Sequence, residues 1–229
     1  MSEPATNRHQ PVGNGWFRRV ERALGPTVLV LAPLVMAVLA FVHPTQHNEH
    51  DSVAALTPVA GEWLGLHAVL LPAAALVAVG LYWLVASYRG PVALVARVGI
   101  AVYAFGATVI DAVNGLAVGL LLTAPDVDPT TIEPALNGMF GGPPIALTGL
   151  LTILGYTVGV VATAVVLSRD GAPLPATLAL VGSTLGVVSH VGLSGVVGWL
   201  LLFVAAVWLT VGWRGDPAVT SRRHPGVGD

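Results

Sequence analysis

Long runs of apolar residues, separated by short polar segments, dominate the pattern of this chain. Six such runs occur, at 25–42, 63–86, 98–123, 145–167, 174–190 and 195–213. Each is close in length to the roughly 20 residues that a helix needs to cross about 30 Å of hydrocarbon. The pattern predicts an all-α, polytopic integral membrane protein built as a six-transmembrane-helix bundle.

The last two runs are counted separately because of their combined length. No Asp, Glu, Lys or Arg occurs between residues 174 and 213. At about 1.5 Å per residue, one helix over this stretch would be about 60 Å long, twice the hydrocarbon thickness. The chain must therefore turn back, and the Gly-Leu-Ser-Gly segment at 192–195 is the expected turn.

The positions of the basic residues predict the orientation of these spans. Every one of the ten basic residues is Arg, and all ten fall before span one, between spans two and three, after span four or after span six. The two longer loops of the opposite side, 43–62 and 124–144, carry acidic residues and no Arg. The positive-inside rule then places both termini in the cytoplasm. The expected organisation is a basic tail at 1–24, a transmembrane domain at 25–213 and a second tail at 214–229.

Composition excludes several classes of protein. Hydrophobic residues make up 55% of the chain and charged residues 10%, with a mean hydropathy of +0.79, whereas a soluble domain carries about 25% charged residues. The absence of cysteine excludes disulfides and thiolate metal sites. The chain also lacks the phosphate-binding loop, the serine-hydrolase elbow and the H-E-x-x-H zinc motif. We expect no nucleic-acid partner, because orientation and anionic lipid explain the basic N-terminus.

Five histidines map to the predicted external half of the protein. Imidazole is a common ligand for zinc, copper and haem iron, and a neighbouring carboxylate such as Glu62 supplies oxygen ligands. Pro44 disfavours a helix at the residue before it, so a shared helix face within the 43–51 segment cannot be assumed. A solvated loop whose histidines have no function is the alternative for that segment. The five histidines are His43, His47, His50, His67 and His190.

His67 and His190 differ from the others because each lies in an apolar helix. A polar side chain is costly there and usually faces the bundle interior. We predict that these two face one another at similar depth, and one histidine from each of two helices is a haem-ligation pattern. The cofactor would be haem b, copper or zinc, with His43, His47 and Glu62 as further ligands. A structural hydrogen bond to a neighbouring helix is the alternative.

Asp111 lies near the middle of the third run, with Asn114 one helical turn further along. An ionised, unpaired carboxylate at that depth costs at least a few kcal/mol. It must therefore be protonated, hydrogen-bonded or beside a polar cavity. One hypothesis is a proton-handling role, and the other is a structural hydrogen bond to Asn114, Tyr103, Tyr156 or a threonine.

Pairs of glycines four residues apart recur in the predicted spans. Such spacing lets helix backbones approach closely. We interpret these pairs as sites of helix packing within one chain rather than as a specific dimerisation motif. They are Gly115/Gly119, Gly155/Gly159 and Gly182/Gly186.

Three functional interpretations follow. The first is a metal- or haem-binding protein with redox or metal-handling function and an outward-facing histidine site. The second is a small proton-coupled permease that uses Asp111. The third is a structural or assembly subunit without chemistry of its own. The expected surroundings are the lipid bilayer of a cell membrane, a prokaryotic plasma membrane in particular, with a membrane complex or a homo-oligomer as partner.

Overall fold

Helices form almost all of the described part of the molecule. The computed structural model describes residues 15–44, 53–189 and 191–213, and the side chains of 24–44, 54–128, 130–189 and 191–213. No strand occurs in these residues, so the all-α fold class is confirmed. The helices are α1 Gly15–Val42, α2 Val53–Leu56, α3 Ala60–Val85, α4 Pro91–Ile110, α5 Val118–Thr123, α6 Pro129–Gly141, α7 Pro143–Arg169, α8 Leu174–Gly182, α9 Thr184–Val188 and α10 Gly192–Val207.

Within the described ranges, five helical stretches are long and apolar enough to cross a membrane, and Leu174–Val188 is a shorter apolar helix. Large apolar side chains cover the outer surface: Phe41 is 79% exposed and Leu193 is 80% exposed. Such a surface suits lipid, since a soluble monomer rarely exposes large contiguous apolar patches. The fold is a helical membrane bundle, while the count of six spans and the cytoplasmic termini stay predictions.

The closest helix packing in the bundle joins α4 to α7, while α1 lies between α3 and α10. A Cβ atom added to Gly99 would lie 2.5 Å from the nitrogen and 2.7 Å from the Cα of Gly159. Glycine at both positions therefore allows the two backbones to touch. Gly155 contacts the same stretch of α4, which confirms that the Gly155/Gly159 pair packs helices within one chain.

A cap of short helices covers one end of the bundle. We use this name for α2 and α6, which pack on the start of α3 through a cluster that includes the fully buried Leu56 and Leu136. The segment 124–144, which we expect to be an external loop, contains α6 over most of its length. Asp128 accepts hydrogen bonds from the Thr130 backbone N–H and hydroxyl, both at 2.9 Å, and so forms its N-cap.

The turn expected at 192–195 is wrong, since these residues form the first turn of α10. The reversal lies between Val188 and Gly192, whose φ of 71° is a left-handed conformation that glycine adopts without strain. The preceding helix is divided at Ser183, where α8 ends and α9 begins. The Ser183 hydroxyl donates to the carbonyl of Leu180 at 2.6 Å.

Candidate functional site

A cavity of about 360 Å³ lies inside the bundle below the cap. Helices α1, α3, α4, α6, α7, α9 and α10 all contribute to its wall, together with the segment that follows α4. Its volume falls at the lower end of the roughly 300–1,000 Å³ typical of small-molecule sites. The polar and aromatic residues of the wall include Trp63, His67, Tyr103, Asp111, Asn114 and Trp199.

Asp111 and Asn114 reach this wall from a π-helical segment, Asp111–Ala117, between α4 and α5. Asp111 is only 7% exposed, as expected for a carboxyl that faces the interior. The wider π-helical turn changes hydrogen bonding locally: the Val118 N–H bonds to the carbonyls of Val113 and Gly115. An α-helix would have used the carbonyl of Asn114 instead.

Trp63 of α3 supplies a replacement donor to that carbonyl. Its indole Nε1–H donates to the backbone oxygen of Asn114 at 3.0 Å. A buried carbonyl without a partner costs about 1–3 kcal/mol, so this bond stabilises the π-helical geometry. It also ties α3 to the segment that carries Asp111.

His67 lies one turn after Trp63 and is buried against the same segment. Its Nδ1 donates to the carbonyl of Trp63 at 2.8 Å, since a carbonyl oxygen can only accept. This bond assigns the proton of the neutral ring to Nδ1 and the basic lone pair to Nε2. A side chain at Gly115 would overlap the imidazole, so the Gly115/Gly119 pair serves packing within the chain.

His43, at the end of α1, is buried beside His67. The two ring centroids lie 5.5 Å apart with the planes at 80°, and Trp63 lies 5.3 Å from His43 in a similar edge arrangement. For His43, the solvated-loop interpretation of the 43–51 segment is therefore wrong. The structure brings together His43, which directly follows α1, and His67 of α3.

Two buried polar atoms of the cavity wall have no hydrogen-bond partner among the described residues. One is the side-chain oxygen of Asn114, an acceptor, and the other is the indole Nε1–H of Trp199, a donor. Trp199 is 1% exposed. Buried polar groups are usually satisfied by protein or ordered water. Asn114 and Trp199 both line the cavity, so a polar ligand or water is a candidate partner for these two atoms.

An aromatic network supports the wall of the cavity. The Tyr103 and Tyr156 centroids lie 4.9 Å apart, and Tyr156 lies 5.9 Å from Trp199. Because the Ser183 hydroxyl donates to Leu180, it accepts from the Tyr156 hydroxyl at 2.9 Å. The break between α8 and α9 is thus linked to the rings that position Trp199.

No protein-family model matches this chain, and neither a curated protein nor a solved structure matches it. The candidate site therefore rests on the geometry of the chain itself.

Among the other residues expected in a metal site, only Glu62 belongs to the described part of the chain, and it does not join this cluster. Glu62 is exposed to the outside of α3. His47, His50 and His190 lie outside the described residues, so the predicted pairing of His67 with His190 stays a prediction. Within the described ranges, no group of three or more His, Asp or Glu side chains could hold a metal ion.

The sequence reasoning missed most of the aromatic residues of the cavity. The spacing of Trp63 and His67, one helical turn apart, was a usable signal that they share a face. Phe140 required knowledge of α6, which Asp128 followed by Pro129 could have indicated as a capped helix start. Trp199 carried no local signal, because an aromatic residue in an apolar helix usually packs in a core.

Proposed function

We propose that this chain is a small proton-coupled permease in which Asp111 exchanges a proton while a solute occupies the central cavity. The observation that carries the proposal is the position of Asp111 and Asn114 on a π-helical segment at the cavity wall. A carboxyl group, an open volume and an irregular helix meet at one place. Irregular helical turns of this kind are frequent at functional sites.

The charge of Asp111 couples the proton to the solute. An ionised carboxylate in a water-poor interior is costly unless it is paired. No Lys or Arg lines the described cavity wall. Asp111 is therefore neutral when the cavity lacks a partner, and it changes protonation when solute or water enters.

The π-helical segment provides a part that can move. Conversion of a π turn to an α turn shifts the register of one side of the helix relative to the other. Here the shift would break the Trp63 bond to Asn114 and turn Asp111 relative to the cavity. Two arrangements of this one segment are the two states that alternating access requires.

The test uses the full chain in sealed vesicles with an imposed pH gradient. Labelled small solutes in three classes, cationic, neutral and anionic, are offered from outside. We expect at least one class to accumulate against its own gradient, and a protonophore to abolish the accumulation. Asp111→Asn should abolish it too, because the amide keeps the hydrogen-bonding capacity but does not gain or lose a proton near neutral pH.

The matched control is Asp126→Asn, which changes an exposed carboxyl outside the helices. It should transport like the original chain, and both variants should unfold at the same temperature. Equal transport by Asp111→Asn contradicts the proposal. So does the absence of proton-driven accumulation in all three classes, which favours the structural or assembly interpretation.

The contact between His43 and His67 favours a second candidate function, metal-ion binding. Two imidazoles 5.5 Å apart can direct one nitrogen each to a shared ion, with ligand distances of roughly 2 Å. Purified protein should then contain stoichiometric copper or zinc. His67→Ala should remove it, and metal-free protein would contradict this candidate.

A further inference from the structure

Few ionisable side chains line the cavity. Of the described residues in its wall, only His67, Tyr103 and Asp111 are ionisable. His67 faces the cavity from α3 and Tyr103 from α4; the described wall residues of α1, α6, α7, α9 and α10 include no ionisable side chain. A ligand cation would provide the missing counter-charge for Asp111.

Aromatic rings make the rest of the wall suitable for the same kind of ligand. Trp63, Tyr103, Phe140 and Trp199 all line the cavity. The Trp63 and Phe140 centroids lie 6.2 Å apart in an edge arrangement. A cation over an aromatic face is attracted by the negative face of the ring, most strongly when the cation is desolvated.

The two unpartnered atoms define the ligand further. The side-chain oxygen of Asn114 requires a donor, and an ammonium group can donate to it and to Asp111 together. The Trp199 Nε1–H requires an acceptor elsewhere on the ligand. The matching molecule has a protonated amine at one end and an oxygen acceptor at a distance.

We infer that the cavity binds a small protonated amine of metabolite size, which displaces the proton of Asp111. The inference rests on the proposed function and names its substrate class. The exchange balances: the ammonium ion and the neutral carboxyl give an ammonium–carboxylate pair and one released proton. No bond of the amine forms or breaks, and no oxidant or reductant is needed.

The binding experiment compares three probes of similar shape on the full chain in lipid nanodiscs. Phenethylamine is cationic, 2-phenylethanol is neutral and 3-phenylpropanoate is anionic. Calorimetry at several pH values should show phenethylamine binding at least tenfold more tightly than either analogue. Its affinity should rise about tenfold per pH unit while Asp111 is protonated in the empty site, because one proton leaves for each amine that binds.

Two variants test separately the charge of Asp111 and the hydrogen bond from Trp199. Asp111→Asn should weaken phenethylamine binding at least tenfold and remove the pH dependence, whereas Asp126→Asn should change neither. Trp199→Phe keeps a ring and removes the indole donor. It should weaken 2-phenoxyethylamine, which has an ether oxygen, by about fivefold, and leave phenethylamine within twofold.

The outcomes distinguish the inference from the proposed function. Equal or tighter binding of a neutral or anionic probe, or no binding of either amine, overturns the substrate class. Proton-driven uptake of a neutral solute in the vesicle assay would then still support the permease. If amines bind with proton release but no solute accumulates in vesicles, the amine site stands and the permease fails.

Discussion

Close packing between α4 and α7 determines whether a glycine-to-alanine substitution raises or lowers the free energy of unfolding. The perturbation is Gly99→Ala, and its matched control is Gly65→Ala in α3. A Cβ atom at position 99 would lie 2.5 Å from the Gly159 nitrogen and 2.8 Å from the Gly155 carbonyl oxygen. A Cβ atom at position 65 would meet no atom within 4 Å. Both residues lie inside helices, so the two substitutions share the same backbone effect.

The two variants should change stability in opposite directions. Replacing glycine by alanine in a helix interior stabilises it by roughly 0.8–1 kcal/mol. Gly65→Ala should gain about that amount. At position 99 the overlapping atoms belong to backbone, which cannot rotate away, and overpacking of this kind costs about 1–3 kcal/mol. Gly99→Ala should therefore be up to about 2 kcal/mol less stable than the original chain.

The free energy of unfolding is measured by circular dichroism during titration of the micelle with a denaturing detergent. Gly99→Ala should unfold at lower denaturant and Gly65→Ala at higher denaturant. Equal gains in the two variants would refute the reasoning, because they would mean that α4 and α7 separate at no cost. A loss in both would also contradict it, because a Cβ atom at position 65 meets nothing within 4 Å that could account for a cost.

Three further predictions test other parts of the structure. Trp63→Phe should lower the free energy of unfolding by about 1–3 kcal/mol, because it leaves the backbone carbonyl of Asn114 without a donor; a loss no larger than that of an exposed Trp→Phe variant would contradict this. Thr130 donates hydrogen bonds from its backbone N–H and its hydroxyl to Asp128, and these hold the pKa of Asp128 below its ordinary value. The stabilisation of α6 by this N-cap should therefore be complete at pH values above the ordinary aspartate pKa and should be lost as the pH falls through the lowered pKa of Asp128. Proteolysis of α6 at a series of pH values measures this loss, and Asp128→Asn should remove the pH dependence. For the topology, single cysteines at Asn48 and Asp128 should react with an impermeant reagent outside intact cells, while one at Ser221 should not, and labelling of Ser221→Cys would exclude the six-span topology.

The local pattern of the sequence is sufficient for the fold class. Long apolar runs must become helices in lipid, because each backbone N–H and C=O has to be satisfied within its own segment. The burial of Asp111 follows from the same argument, since a carboxyl in such a helix is driven towards the protein interior. These conclusions need no knowledge of which helices are neighbours.

The composition of the site depends on contacts between distant segments, which the sequence does not specify. Tertiary packing placed His43 against His67, since α1 lies beside α3, and it brought Trp199 and Phe140 to the cavity from helices far apart in the chain. It also determined the π-helical turn at Asp111, whose displaced carbonyl at Asn114 is satisfied by Trp63 from another helix. A local propensity cannot encode that turn, because the hydrogen bond that compensates for it comes from a residue 51 positions away.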